Sequence, residues 1–115
     1  MKIRIYQINL KRDTNNVAFM NWDFLEKVKG SQAVDSKIYD KVFDGEVDCK
    51  NLEDVYQMFN LNHPKDYKGR SLSVSDVVEV IKDEENSDFY FCDSIGFKRI
   101  GFAPEETREF KENEQ

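Results

Sequence analysis

The chain is poor in the residues that build covalent or metal-bound scaffolds. Its 115 residues include two cysteines, one histidine, two prolines and five glycines. Cys49 and Cys92 are too few for a disulfide framework and lack the spacing of zinc ligands. We therefore expect a cytoplasmic protein without a metal site or a cofactor. The single histidine, His63, stands next to a proline, which predicts a loop residue without a catalytic role.

Long hydrophobic runs are also missing. No stretch approaches the ~18 apolar residues of a membrane span, and residues 1–4 lack the apolar core of a signal peptide. The chain instead has bulky core material, with nine Phe, five Tyr and one Trp. This content predicts a folded chain rather than a disordered one, and the length suits a single hydrophobic core.

Charge is distributed unevenly along the chain. Residues 1–82 carry thirteen acidic and thirteen basic residues, whereas residues 83–115 carry ten acidic and four basic residues, so the net charge of −6 arises in the last third. This pattern disfavours direct binding of nucleic acid or an anionic membrane, and it suits a basic protein partner. The predicted partner-binding residues are Asp83, Glu84, Glu85, Asp88, Glu105, Glu106 and Glu109. The alternative is a solvated turn followed by a frayed acidic tail.

Hydrophobic periodicity predicts a strand and then a helix at the start of the chain. Residues 2–10 alternate as a strand, and the change of parity between Ile5 and Tyr6 indicates a bulge or burial on both faces. Residues 21–29 are typical of a short helix with Asn21 as its N-cap and Gly30 just beyond its end.

The middle of the chain contains the clearest helix. Residues 38–43 have helical spacing, but their residue types and the following Asp44-Gly45 turn signal favour a strand or hairpin over residues 38–47. Residues 51–61 form a helix pattern that begins at Asn51. Its apolar stripe consists of Leu52, Val55, Tyr56 and Phe59.

The last part of the chain is typical of an antiparallel meander. Strands are predicted at residues 77–81, 89–92 and 97–102, with a polar hairpin loop at 83–88 and a helical turn opened by Pro104. The predicted order is β-α-β-α-β-β-β, an α+β fold with a small, mostly antiparallel sheet and two short helices. We expect residues 1–104 to form one domain and residues 105–115 an acidic, frayed tail.

Few residues carry recognisable chemistry. Cys49 precedes the helix at 51–61, where a helix N-terminus lowers the pKa of a thiol, whereas Cys92 follows an aromatic run and is typical of a buried residue. Ser71, Ser73 and Ser75 lack an evident activating base in the sequence, and the Ser75-Asp76 pair is typical of a capped turn. A small thiol-dependent enzyme therefore stands as the less favoured alternative to a binding protein.

Several segments together resemble the YodL-like family. They are residues 5–8 (IYQI), 39–47 (YDKVFDGEV), 52–60 (LEDVYQMFN), 70–78 (RSLSVSDVV) and 89–97 (FYFCDSIGF). Similar proteins often have glycine at the position of Ser75, so the serine here predicts a turn without a strongly positive φ. The resemblance implies a small domain of Gram-positive bacteria and their conjugative elements, plasmids and phages, with no catalytic residue to transfer.

These observations predict a non-enzymatic, cytoplasmic protein-binding module of a mobile genetic element. Its sharper form is an acidic inhibitor of a host defence nuclease, an anti-CRISPR or anti-restriction protein that covers a basic nucleic-acid-binding surface. The alternative is a structural or regulatory accessory domain without direct inhibitory activity.

Overall fold

The computed structural model describes residues 1–30 and 34–111, and its main element is one sheet with two helices. The helices are α1 (Trp22–Lys29) and α2 (Leu52–Leu61). The strands of the described residues are β1 (Lys2–Ile8), β2 (Tyr39–Glu46), β3 (Val77–Ile81), β4 (Ser87–Cys92), β5 (Phe97–Ile100) and β6 (Arg108–Glu109). The sheet order is β5-β4-β3-β1-β2-β6, antiparallel except for the β2–β6 pair. The α+β prediction is confirmed. Within these residues, no helix has the length and apolar character needed to cross a membrane.

Strand β1 lies in the middle of the sheet and is buried on both faces, as its sequence indicates. Ile3 and Ile5 pack in a cluster with Val55 and Phe59 of α2. The β1 side chains that point to the other face of the sheet, including Tyr6, pack in a second cluster that contains Leu25 of α1. The register between β1 and β2 shifts at Ile5 and Tyr6, which confirms the predicted irregularity.

Both helices begin at the predicted caps. The Asn21 side chain accepts the amide N–H of Phe24, and the Asn51 side chain accepts that of Asp54, each at 2.9 Å. The expected burial of Tyr56 is wrong, since 41% of this residue is exposed. The buried residues of α2 are Val55 and Phe59, which are four positions apart. The buried stripe of this helix is therefore narrower than the sequence indicates.

Strand β2 confirms a strand over most of residues 38–47 but contains no hairpin. Asp44 and Gly45, taken as a turn signal, pair with Arg4 and Ile3 of β1 and lie inside the strand. A Cβ added to Gly45 would lie 3.2 Å from the Phe43 ring. Pairing with β1 keeps the chain extended at Gly45, so the glycine does not form a turn. Its missing side chain instead leaves room for the Phe43 ring.

The meander β3–β4–β5 is confirmed, but its ends differ from the prediction. Asp88 belongs to β4 rather than to the hairpin loop. Pro104 opens a 3-10 turn (Pro104–Glu106), and beyond it β6 pairs in parallel with Asp40 and Lys41 of β2. The segment expected to fray from residue 105 thus includes a short strand that main-chain pairing joins to the sheet. Residues 112–115 lie outside the described residues, and the division at residue 104 and the fraying beyond it stay predictions.

The turn before β3 contradicts the expected backbone conformation. Ser75 has φ 84°, in the region that favours glycine. Its hydroxyl accepts the amide N–H of Phe19 (2.9 Å), and its carbonyl accepts the hydroxyl of Tyr39 (2.6 Å). Phe19 itself has φ 70°. Ser75 therefore has an unfavourable φ at a position where its hydroxyl provides the hydrogen-bond acceptor for Phe19, a residue whose φ is also positive.

Replacing Ser75 should separate the hydrogen bond from the backbone strain. Ser75→Ala should lower the free energy of unfolding by about 1–3 kcal/mol, because the Phe19 N–H loses its acceptor. Ser75→Gly loses the same acceptor but relieves the positive φ, so it should be less destabilising than alanine by about 1 kcal/mol. Urea unfolding measures both. Ser73→Ala, which removes only an exposed hydroxyl bond to the Ser71 carbonyl, is the control, and equal effects of Ala and Gly at residue 75 would contradict the strain.

Candidate functional site

The loop between β3 and β4 carries three of the predicted acidic residues at an exposed tip. The Asp83 carboxylate closes the loop by accepting the amide N–H groups of Glu85 (2.9 Å) and Asn86 (3.0 Å). A hydrogen bond from the Asn86 side chain is the main cause that lowers the pKa of Asp83. Glu84 and Glu85 are exposed, and their side chains have no hydrogen bond or ion pair to another described residue. Their charges are therefore open to a partner.

The second acidic group surrounds the Pro104 turn and β6. Glu105 and Glu106 are exposed and have no ion-pair partner in the part of the chain that the structure describes. Glu109 lies 2.9 Å from the Lys41 ammonium group of β2. This hydrogen bond is the largest influence on Lys41 and raises its pKa.

Two shallow grooves bring the loop tip and the turn together. The first, of about 470 Å³, is bounded by residues 83–85 and Pro104, with Lys2 and Arg4 among its lining residues. The second, of about 330 Å³, shares Arg4 and Pro104 and extends to β6. Together they form a continuous region, here called the acidic surface. Its exposed basic residues are Lys2 and Arg108, and its exposed acidic residues are Asp83, Glu84, Glu85, Glu105 and Glu109.

Two of the predicted residues lie away from the acidic surface. The side chain of Asp88 is 17% exposed, and its carboxylate pairs with Arg99 (2.8 Å) and Lys82 (3.4 Å). Glu106 borders a different groove, together with Lys29 and Lys37. The structure thus brings together five of the seven predicted residues.

A row of alternating charges crosses the sheet beneath the acidic surface. Glu79 of β3, which is buried, pairs with Arg4 of β1 (3.2 Å), and Arg4 also pairs with Asp44 of β2 (3.1 Å). Asp44 lies 3.6 Å from Lys41, which completes the row to Glu109. Arg4 and Lys41 are therefore engaged with carboxylates of the sheet, and they leave the charges at the loop tip unpaired.

Comparison with known proteins supports the segments quoted above. The model of the YodL-like domain matches residues 2–102. The chain belongs to the YodL-like family. No curated protein and no solved structure matches it. The match ends just before the Pro104 turn, so the loop tip at 83–85 lies within the YodL-like domain and the turn and β6 lie beyond it.

A buried carboxyl group at the start of β3 is a feature of this YodL-like domain that the sequence did not single out as buried. Asp76 is 1% exposed and accepts hydrogen bonds from the Gln7 side chain (3.0 Å) and the Ser73 amide (2.8 Å). Burial raises the pKa of Asp76 to about 7, although these hydrogen bonds and the charge of Arg70 oppose the shift. The sequence signal for this buried carboxyl group is Gln7, a polar residue in a strand that is predicted to be buried on both faces and that therefore needs a buried hydrogen-bond partner.

The raised pKa of Asp76 predicts a pH-dependent stability. The folded state binds this proton more tightly than the unfolded chain, so the contribution of Asp76 is full below about pH 4 and is lost as pH rises to about 7. Asp76→Asn does not titrate, so its stability relative to the wild type should rise over this range. The rise should be a few kcal/mol at most, because each unit of pKa difference between the folded and unfolded states corresponds to about 1.4 kcal/mol. Urea unfolding at both ends of the range measures the change.

The exposed carboxylate of Asp66 provides a matched control. Asp66→Asn, measured in parallel, gives the effect of the same chemical change at an exposed position. A constant stability difference between Asp76→Asn and the wild type from acid to neutral pH would contradict the assigned role of burial.

The groups considered for catalysis are held in structural positions. Both cysteines are buried. The helix N-terminus is not the dominant influence at Cys49, because burial, followed by the charge of Asp54, raises the pKa of its thiol. Burial also raises the pKa of Cys92 to about 12. Among the described residues, no group of three or more His, Cys, Asp and Glu residues is arranged to hold a metal ion.

The structure brings one candidate base close to a serine, which the sequence did not indicate. His63 Nε2 lies 3.5 Å from Ser71 Oγ, and the His63 ring packs edge-on against Tyr67. Within the described chain, no carboxylate contacts the imidazole to orient it. The pair is therefore a long surface contact rather than an activated nucleophile.

Burial of both thiols predicts low reactivity. The native protein should react with iodoacetamide at neutral pH at least about tenfold more slowly than the protein in denaturant, because the thiolate fraction and the access are both reduced. Mass spectrometry of the time course counts the labelled sites. Rapid labelling of Cys49 or Cys92 in the native state would contradict this and would favour the thiol-dependent enzyme.

Proposed function

We propose that this YodL-like protein is a non-enzymatic module that binds a basic partner protein through the acidic surface. The observation that carries the proposal is the convergence of residues 83–85 and residue 105 on one continuous region, where Glu84, Glu85 and Glu105 have no ion-pair partner among the described residues. Unpaired carboxylates on an exposed loop attract and orient a positively charged surface at low desolvation cost.

The sharper proposal is a nuclease of the host defence as the partner, in the cytoplasm, with the protein carried by a mobile genetic element. The support is chemical: a surface that binds nucleic acid is rich in Lys and Arg, and carboxylates at the acidic surface would take the place of phosphates. The net charge of −6 is small compared with that of duplex DNA. We therefore infer that the protein covers a limited basic patch rather than a whole DNA channel.

Charge reversal at the loop tip should weaken partner binding. The variant is Glu84→Lys with Glu85→Lys, which leaves the Asp83 carboxylate to close the loop. In a pull-down from a Gram-positive lysate at low salt, the wild type should recover a nucleic-acid-handling protein, and the double variant should recover at least about tenfold less of it, as expected for the loss of two charge contacts. High salt should release the same protein from the wild type.

A control with the same change in net charge is Asp23→Lys with Glu53→Lys, two exposed acidic residues on α1 and α2. This variant should recover the partner as the wild type does. Equal recovery by the wild type and the loop-tip variant would overturn the acidic surface as the binding site. An empty pull-down would overturn the binding role and favour the accessory domain.

A further inference from the structure

The outer edge of β2 is only partly covered. On this side of β2, the only strand among the described residues is β6, and it pairs with Asp40 and Lys41. The last bond of this pairing runs from the Phe110 amide to the Lys41 carbonyl (3.1 Å). Residues 42–46 continue beyond it for about 17 Å of extended chain. This stretch, here called the open edge, is paired with β1 on its inner side alone.

The register of β1 and β2 determines which backbone groups point outward from the open edge. Met1 and Val47 exchange two hydrogen bonds, of 2.8 Å and 3.0 Å. In an antiparallel ladder such pairs alternate with pairs whose N–H and C=O groups point away from each other. Gly45 therefore bonds to β1, whereas Asp44 and Glu46 direct their backbone donors and acceptors outward.

A groove of about 700 Å³ runs beside the open edge. Its inner wall consists of β2 and the residues that follow it, and its outer wall is the turn after α2, residues 62–66, with Met58 from the helix. This groove is larger than either groove of the acidic surface. An extended segment fits a site that combines outward-facing backbone groups with an adjacent groove.

We propose that the open edge binds an extended, basic segment of a partner protein as an added β-strand. Four carboxylates line the groove, together with one lysine, Lys65. Asp44 and Glu46 already pair with Arg4 and with the N-terminal ammonium group. Asp48 and Asp66 are exposed and have no ion-pair partner among the described residues. A segment that alternates Lys or Arg with apolar residues matches this charge and leaves its apolar side chains facing the groove. The proposal goes beyond the acidic surface and does not depend on it.

Charge disfavours the protein's own C-terminal chain as the occupant. Asp48 and Asp66 give the groove unpaired negative charge within the described residues. The chain after Lys111 contains Glu112 and Glu114, which have the same sign as the groove. A basic segment is the occupant that the lining favours.

The test uses the full-length protein and an acetylated, amidated heptapeptide that alternates lysine with valine. Hydrogen exchange followed by NMR should show fast exchange at the Asp44 and Glu46 amides of the free protein and slow exchange at Gly45. Addition of the peptide at about 1 mM should protect Asp44 and Glu46. The version with glutamate in place of lysine should not protect them.

N-methylation of the peptide separates strand addition from simple charge attraction without changing the protein. Methylation of the peptide amides that face the open edge should weaken binding by about tenfold or more, because backbone hydrogen bonds are lost. Methylation of the amides that point away from it should have little effect. Glu46→Pro removes an outward N–H and should weaken binding similarly, while Glu46→Gln keeps that N–H and is the matched control.

Three results would overturn the proposal. The first is the absence of protection at Asp44 and Glu46 at the stated peptide concentration. The second is equal binding by both N-methylated peptides, which would indicate charge attraction alone. The third is slow exchange at Asp44 and Glu46 in the free protein: dependence on protein concentration would identify a second copy at the open edge, and independence would identify the protein's own chain. Reversal of Glu84 and Glu85 should leave peptide binding unchanged, so this test fails or succeeds separately from that of the acidic surface.

Discussion

The hydrogen bonds at the Ser75-Asp76 corner connect parts of the chain that are far apart in sequence. Ser75 accepts the Phe19 amide from the segment before α1 and the Tyr39 hydroxyl from β2, and Asp76 accepts the Gln7 side chain from β1. Each of these groups is buried or partly buried, so removal of its partner leaves a donor without water and costs about 1–3 kcal/mol. The corner therefore holds the segment before α1, the strand pair β1–β2 and the start of the meander in one arrangement, and it does so at the expense of a positive φ and a buried carboxyl group.

The parts of the fold that the sequence predicts correctly are those set by local interactions. The caps Asn21 and Asn51 satisfy amides three residues ahead, and such short-range bonds are visible in the order of residues. The errors arise where distant pairing decides the structure. Asp44 and Gly45 have the composition of a turn, yet seven residues of β2 pair with β1, and β6 has two residues and no periodicity of its own. The positive φ of Ser75 is compensated by Phe19, 56 positions away, and no local pattern indicates it.

The candidate sites differ in how far the sequence defines them. A count of charges identifies Glu84, Glu85 and Glu105 as members of an acidic region, and the structure places them around grooves that share Arg4 and Pro104. The same count cannot separate them from Asp88, whose carboxylate is neutralised by Arg99 and Lys82 across the sheet and the hairpin. It also cannot find the open edge, because that edge depends on where β6 stops pairing. Charge composition thus predicts the sign of the proposed partner, and the sheet topology determines which surfaces are left open to it.

The open edge combines incomplete coverage of the sheet with unpaired charge beside it. An exposed strand edge pairs readily with other chains, and proteins limit this with short covering strands and charged residues. Here β6 covers the first residues of the β2 edge, and the groove beside the rest is lined by Asp48 and Asp66, which have no ion-pair partner among the described residues. An acidic chain would be repelled there, whereas the basic segment proposed above would gain both backbone bonds and charge contacts. The length of β6 therefore determines how much of β2 is left for strand addition, and the charge of the groove favours a basic occupant.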